Sequence, residues 1–316
     1  MSVQITTAMV DMFSANVMHL AQQKESRLRQ FCRQETQRGE KQSYDRIGTK
    51  EAQLKSGRHS SVNYQDTPHS RRWVSVQTYY DADMVDREDK LRVIQNPESE
   101  YAKAIGAALG RKTDSVIIGA ALGTAYTGRS GASTASLANA NKIAAFVSTE
   151  NTGSGLNVDT LRAVRKKFKQ NEACRDDEKL IFVCAAEQVD NLLGETQTTS
   201  SDYAAIKALV DGDVNYFMGF TFVRTELLPF TTADVTYNVN NGSVGAGTGT
   251  LSATEGRRCF AMTNKSGVLC AMGPGVQGKI DPLPQMHYAH QVYAAIDIGA
   301  VRMEEVQVVE VLCKEV

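Results

Sequence analysis

The segment most like a catalytic or nucleotide-binding motif is GPGVQGKI at positions 273–280, which satisfies G-x-G-x-x-G and the first seven positions of G-x-x-x-x-G-K-[ST]. Such a loop cradles phosphate when it opens a helix whose N-terminal amides face the ligand, with a Ser or Thr hydroxyl after the lysine for magnesium. Here Ile280 stands at the hydroxyl position, and Pro282 and Pro284 prevent a regular helix from following. The segment is expected to be a turn joining two strands. A nucleotide-binding enzyme using residues 273–279 is kept only as an alternative.

The remaining reactive side chains are dispersed. His287 and His290 form H-x-x-H, but on a strand positions i and i+3 face opposite ways and cannot share a metal. His59 and His69 lie near Asp66, yet no G-x-S-x-G turn supplies a nucleophile. Cys32, Cys174, Cys184, Cys259, Cys270 and Cys313 show no C-x-x-C spacing and mostly sit in apolar runs. They read as small buried side chains in a reducing setting, not as zinc ligands or a disulfide framework. No catalytic residue, metal or cofactor is expected.

The densest charge lies in DTPHSRRWVSVQTYYDADMVDREDK, residues 66–90. Alternation would put Trp73, Ser75, Gln77 and Tyr79 on one strand face and Val74, Val76 and Thr78 on the other. Asp81, Asp83, Asp86, Glu88 and Asp89 would follow on a turn and a short helix. An acid–base pair needs one carboxyl desolvated enough to stay protonated. Five acids in nine residues, interleaved with Arg87, read as solvated instead. What remains is a surface for a partner, with arginines at one end of an extended arm and acids at its base.

Among the elements that must carry these residues, the clearest is a helix over 97–122, with Asn96 as N-cap, Pro97 at the first position and Glu98 and Glu100 in the first turn. At 1.5 Å per residue it would span about 39 Å. Upstream, 8–37 reads as a polar helix with a weak apolar stripe, and 38–70 as a long polar excursion of the functional kind. Downstream, helices are expected over 157–170, 186–194 and 201–211, with a strand over 179–185. A Gly/Thr/Asn-rich surface insertion fills 231–256, and RCFAMTNKSGVLCAM reads as a hairpin turning at 264–267. The last thirty residues alternate at period two and read as long antiparallel strands.

The chain has 316 residues, 22% of them charged, and a formal charge of -1. That argues against a dedicated nucleic-acid binder, which would carry a basic footprint. Residues 1–58 hold ten Lys or Arg against six acids, whereas 81–100 hold seven acids against three bases. No run of about 18 apolar residues suggests a membrane span and no basic-then-apolar leader is visible, so no membrane partner is expected.

The ordered set ITTAMVDMFSANVMHLAQQKESRLRQF, YDRIG, DTPHSRRWV, DMVDREDKLRVIQNPESEYAKAIGAALGR, TSSDYAAIKALVDGDVNYFMGFTFV and QVYAAIDIGAVRMEEVQVVEVLCKEV resembles the major capsid proteins of tailed bacteriophages with the Hong Kong 97-like fold. The resemblance implies an α+β chain with an N-terminal arm (1–38) and an extended β-hairpin loop (39–80). It implies a peripheral domain (81–135, with strands from 281–316) and a mixed α/β axial domain (136–280). It implies a non-enzymatic protein that self-assembles as hexamers and pentamers into an icosahedral shell around double-stranded DNA. The shell would be assembled in the bacterial host cytoplasm, with scaffold, portal and decoration proteins as further partners. Tyr44, Asp45, Arg46, Arg58, Arg71, Arg72 and Trp73 would then lie along a loop that covers a neighbouring subunit. Asp83, Asp86, Glu88 and Asp89 would receive basic groups. A tail or baseplate protein, which also self-assembles, is the nearer alternative.

Overall fold

Among the described residues, three α-helices form where apolar side chains recur at helical spacing. The first, α1 (Pro97–Leu122), buries Ile105, Leu109, Ile117, Ile118, Ala121 and Leu122 against the strands Ala289–Arg302 and Gln77–Val85. The second, α2 (Val158–Gln170), starts where the Asn157 side chain accepts the Thr160 N–H at 2.8 Å, and it buries Leu161, Val164 and Phe168. The third, α3 (Ala186–Gly194), buries Val189 and Leu192. This computed structural model describes residues 22–59, 61–85, 97–147, 150–153, 155–174, 178–194, 216–238, 242–245 and 249–315. The Asn96 cap and the helix expected over 201–211 lie outside the described residues.

Two large sheets share one core with these helices. The six-stranded sheet runs Tyr216–Phe217, Phe220–Arg224, Leu180–Cys184, Gly256–Thr263, Val308–Lys314, Lys142–Ala144. Every residue of Leu180–Cys184 is buried, as expected of a strand covered on both faces. Phe182 packs edge-on to Phe220 with ring centroids 5.9 Å apart, and burying such a side chain contributes about 1.5–3 kcal/mol. In the second sheet the long strand Ala289–Arg302 pairs with Val268–Met272, Gln277–Leu283 and Gln77–Val85. Arg33–Thr36 adds to its edge, parallel to Val268–Met272.

A four-stranded sheet projects from this body: Lys41–Ile47, His69–Ser75, Ala125–Thr127, Ser133–Ala135. The first two strands make the expected hairpin, in register from Lys41 opposite Ser75 to Ile47 opposite His69. Between them, the described residues of 48–68 form no strand.

The structure departs from several sequence expectations. Residues 22–37 are not an α-helix: they make a single 3-10 turn, Arg29–Phe31, and then the strand Arg33–Thr36. The cause is Asp114, fully buried on α1, whose carboxylate takes the Ser26 hydroxyl at 2.5 Å, the Arg27 N–H at 3.0 Å, the Leu28 N–H at 3.2 Å and the Gln23 amide. These bonds hold the segment against α1 in place of intrahelical ones. The rest of that expected helix, 8–21, lies outside the described residues.

The two strands of RCFAMTNKSGVLCAM do turn at Asn264 to Gly267 but enter different sheets, one pairing with Leu180–Cys184 and Val308–Lys314, the other with Arg33–Thr36 and Ala289–Arg302. The closing strands likewise part. Ala289–Arg302 stays with α1, whereas Val308–Lys314 pairs with Gly256–Thr263 and Lys142–Ala144. The Gly/Thr/Asn-rich stretch is not only surface. Val235–Tyr237 pairs with Gly249–Leu251, and buried Tyr237 and Leu251 join Ala144, Phe146 and Leu312 in a satellite core. Gln277–Leu283 confirms that the glycine-rich segment leads from one strand into another, and His287 lies at a left-handed position before the long strand that carries His290.

Candidate functional site

The hairpin base sorts the predicted contact residues into two faces. Side chains alternate along a strand, and register partners share a face, so Tyr44, Arg46 and Arg72 fall on one side while Asp45, Arg71 and Trp73 fall on the other.

The first face is turned inward. Arg72 is 2% exposed; its Nε donates to the Met303 carbonyl at 3.2 Å and its Nη2 to the Glu305 carboxylate. Arg46 donates from Nη1 to the same Met303 carbonyl and lies 3.8 Å from Glu305 Oε2. A third guanidinium, that of fully buried Arg302, comes within 4.0 Å of Glu305 Oε1. Burial pulls the proton affinity of Arg72 and Arg302 down, and the Glu305 charge offsets it. Arg302 also donates to the Ala121 and Gly123 carbonyls, both at 2.8 Å, and Arg258 donates to Leu122 O at 3.2 Å. These carbonyls end α1, where a helix has unsatisfied acceptors and favours cations. Asn141, next to the six-stranded sheet, donates to the Glu305 carbonyl at 2.7 Å. One short turn, Met303 to Glu305, therefore ties together the hairpin, the end of α1 and the six-stranded sheet. Tyr44 is half-buried beside it, packed with Val74 and Met303, and burial raises its phenol above the ordinary value.

The second face is open. Arg71 makes a two-pronged pair with Asp45, Nε to Oδ1 at 2.5 Å and Nη2 to Oδ2 at 3.0 Å, and its guanidinium lies 5.8 Å from the Trp73 ring centroid. The Arg71 hydrogen bond holds the Asp45 carboxyl below the usual carboxylate range. Trp73 donates from Nε1 to Gly128 O at 2.8 Å, and its ring covers Gly131, where φ is +77° and an added Cβ would come within 3.1 Å of the ring. The tryptophan thus fixes the turn that bears Arg129.

Arg58 is exposed within the 48–68 loop, far in sequence from this base. Asp81 and Asp83 are not on a turn or helix: the strand Gln77–Val85 runs through both, because Ala289–Arg302 pairs with it over that length. Both are exposed, and among the described residues each accepts only the N–H of the following residue, Asp81 at 3.0 Å and Asp83 at 2.8 Å. Asp86, Glu88 and Asp89 lie outside the described residues. Sequence reasoning missed Glu305, Arg302 and Arg129. The signal for the first two was present, since RMEE interrupts the closing period-two pattern with charge. Among the described residues no cluster of His, Cys, Asp and Glu could hold a metal, and no helix is long and apolar enough to cross a membrane.

Comparison with known proteins decides what this architecture is. The profile of the phage capsid protein family matches residues 5–315. The chain belongs to that family. No curated protein sequence matches the chain. Solved structures supply the fold. The subunit superposes on the capsid of cyanophage P-SCSP1u with a TM-score of 0.71 at 13% identity, covering 98% of this chain and 94% of that one. Against the Ralstonia phage GP4 capsid the values are 0.68 and 10%, with 97% and 96% covered. The acid-stable capsid of Helicobacter pylori bacteriophage KHP30 gives 0.68 and 9%, with 99% and 97% covered. The capsid subunit thus has the Hong Kong 97-like fold expected from its ordered segments, and it is a major capsid protein, a self-associating component of the virion shell.

Proposed function

We propose that the hairpin at 39–80 is the limb by which each capsid subunit grips the next, in hexamers and pentamers that close into an icosahedral shell around double-stranded DNA. The observation that carries this is the 48–68 loop. It leaves the body on a paired stem and holds Leu54, Tyr64 and Val62 at 97%, 94% and 73% exposure, and Ile47, the last residue of the stem, is 72% exposed. Apolar side chains so exposed on one extended segment are expected to be covered by another molecule. The bidentate Asp45–Arg71 pair keeps the stem stiff, and Arg58 and the stem's outer face supply polar contacts. The arm at 1–38, the peripheral domain at 81–135 with the strands of 281–316, of which Val308–Lys314 pairs into the six-stranded sheet, and the axial domain at 136–280 complete the subunit.

No residue in this reading does catalysis; the work is mechanical. Each subunit touches several neighbours, so contacts of a few kcal/mol allow errors to be corrected yet sum to a stable lattice, each 1.4 kcal/mol being about tenfold in equilibrium. A formal charge of -1 suits a wall that encloses DNA without strong, salt-dependent adhesion. Assembly in the host cytoplasm, with scaffold, portal and decoration proteins as partners, belongs to the same proposal. The test is negative-stain microscopy of the full chain and of a Leu54→Ser, Val62→Ser, Tyr64→Ser variant. Closed shells from the first and soluble, folded, unassembled protein from the second support the reading. Shells of normal yield from the variant overturn the role of the loop, and tubes from the parent chain favour a tail protein.

A further inference from the structure

Beside the hairpin base lies a concave notch of about 730 Å³, with Arg46, Arg71, Arg72, Arg129, His69 and Asp45 in its wall. Its shape follows from strand lengths. His69–Ser75 is paired along its whole length by Lys41–Ile47 on one side, but on the other Ala125–Thr127 reaches only Arg72 and Trp73. The edge at residues 69–71 is left uncovered there, and the turn that carries Arg129 overhangs it. Glu305 and Asp45 meet part of the cationic charge of Arg46, Arg72 and Arg71. Arg129 is exposed and has no acid within 4.0 Å among the described residues, so the notch as a whole remains positive.

The complementary feature is on the strand Gln77–Val85. Asp81 and Asp83 stand two residues apart on one strand face, about 7 Å from one another along an extended chain. Both are exposed, and neither has a cation within 4.0 Å among the described residues. Among the described residues of one chain, then, a cationic notch with an unpaired arginine coexists with a pair of carboxylates that no cation meets.

We propose that the notch is the receptor for Asp81 and Asp83 of a second copy of this chain, with Arg129 the principal cation and Arg71 its neighbour. The proposal rests on the self-assembly reading and deepens it by naming which surfaces meet. The contact is head-to-tail, since each copy gives its carboxylates to one neighbour and its notch to another, which is the arrangement that closes rings. Trp73 is a positioning residue here: it holds the Gly128–Gly131 turn and so aims Arg129.

The experiment is a charge exchange in the full chain: Arg129→Asp alone, Asp81→Arg with Asp83→Arg, and the combination. All three sites are exposed, so melting temperature is expected to stay within a few degrees of the parent. Shell yield is expected to fall at least tenfold in the first two and to recover to within about threefold of the parent in the combination. Normal yield from Arg129→Asp overturns the proposal, as does a combination that folds but assembles no better than its components. Should a reversed chain misfold, Arg129→Gln against Asp81→Asn with Asp83→Asn is the substitute, and combined losses no larger than either alone support the pairing whereas additive losses overturn it. A parent chain that forms no closed shells would count against the assembly reading itself, not against the notch.

Discussion

Replacing Glu305 by alanine removes the one carboxylate shared by Arg46, Arg72 and Arg302. Arg302 would keep its carbonyl acceptors at the end of α1, and Arg72 would keep Met303 O, so neither is stripped bare. Their side chains are nevertheless 0% and 3% exposed, and Glu305 itself is only 25% exposed. Breaking a buried ion pair by removing one partner costs about 3–5 kcal/mol; the retained carbonyl bonds and the partial exposure of Glu305 place this case at about 3 kcal/mol. The loss falls on the hairpin base, because the side-chain ion-pair partners of Glu305 among the described residues are Arg46, Arg72 and Arg302. Hydrogen exchange read by mass spectrometry should then show amides of 41–47 and 69–75 opening about 100-fold more readily, since each 1.4 kcal/mol is tenfold. Amides of 180–184 and 256–263 should keep parental protection. Glu305→Gln, which keeps an acceptor but not the charge, should fall between. In the cycle with Arg72→Ala the two losses should be less than additive by about 1–3 kcal/mol. Parental exchange at 41–47 in Glu305→Ala, or uniform loss over both sheets, would refute the idea that this turn locks the hairpin to the body.

Arg71 and Arg72 should respond oppositely to charge reversal: Arg71→Glu is expected to leave a folded subunit that fails to assemble, and Arg72→Glu to unfold the hairpin base, as circular dichroism and exchange will distinguish. Trp73 is the only tryptophan in the chain, so its emission reports the outer face. Because the Asp45 carboxyl is held low by Arg71, the pair's contribution is present above the ordinary carboxylate value near pH 4 and is lost as pH falls through the lower folded value; Trp73 emission should shift in that acid range and Asp45→Asn should abolish the shift. Asp114→Ala should cost about 2–4 kcal/mol, by orphaning the buried Leu28 N–H and the part-buried donors of Gln23, Ser26 and Arg27, and the loosened backbone should be cut faster by trypsin after Lys24 and Arg27. Leu251→Ala should destabilise by about 2–4 kcal/mol in thermal unfolding, and deletion of 239–250 by more, because the satellite core needs the Gly249–Leu251 strand.

Local physics made much of this subunit legible. Pro97 and the apolar recurrence mark α1, and Asn157 marks the start of α2, because caps and helical spacing act within a few residues. The resemblance groups Arg71 with Arg72 along one loop, whereas the strand register puts them on opposite faces. Alternation could not say which face turns inward, since that depends on Met303 and Glu305, some 230 positions away. The same limit explains RCFAMTNKSGVLCAM. Period two identifies strands, but a strand's partners are settled by burial across the whole chain, and here two adjacent strands complete different sheets. The helix expected over 8–37 fails in its described part for a related reason. Its apolar stripe is weak, and one buried carboxylate on a distant helix captures the backbone N–H groups of residues 27 and 28. Arg129 went unnoticed because nothing nearby distinguishes it; the Trp73 ring packed on Gly131 gives it a fixed place.

The central claim is that the hairpin grips a neighbouring copy. An electron cryo-microscopy reconstruction of particles formed by the full chain tests it most directly. Closed shells are expected in which residues 48–68 of every subunit lie on the adjacent one, with Leu54, Val62 and Tyr64 covered by it. Particles in which that loop folds back on its own subunit and touches no other chain would contradict it.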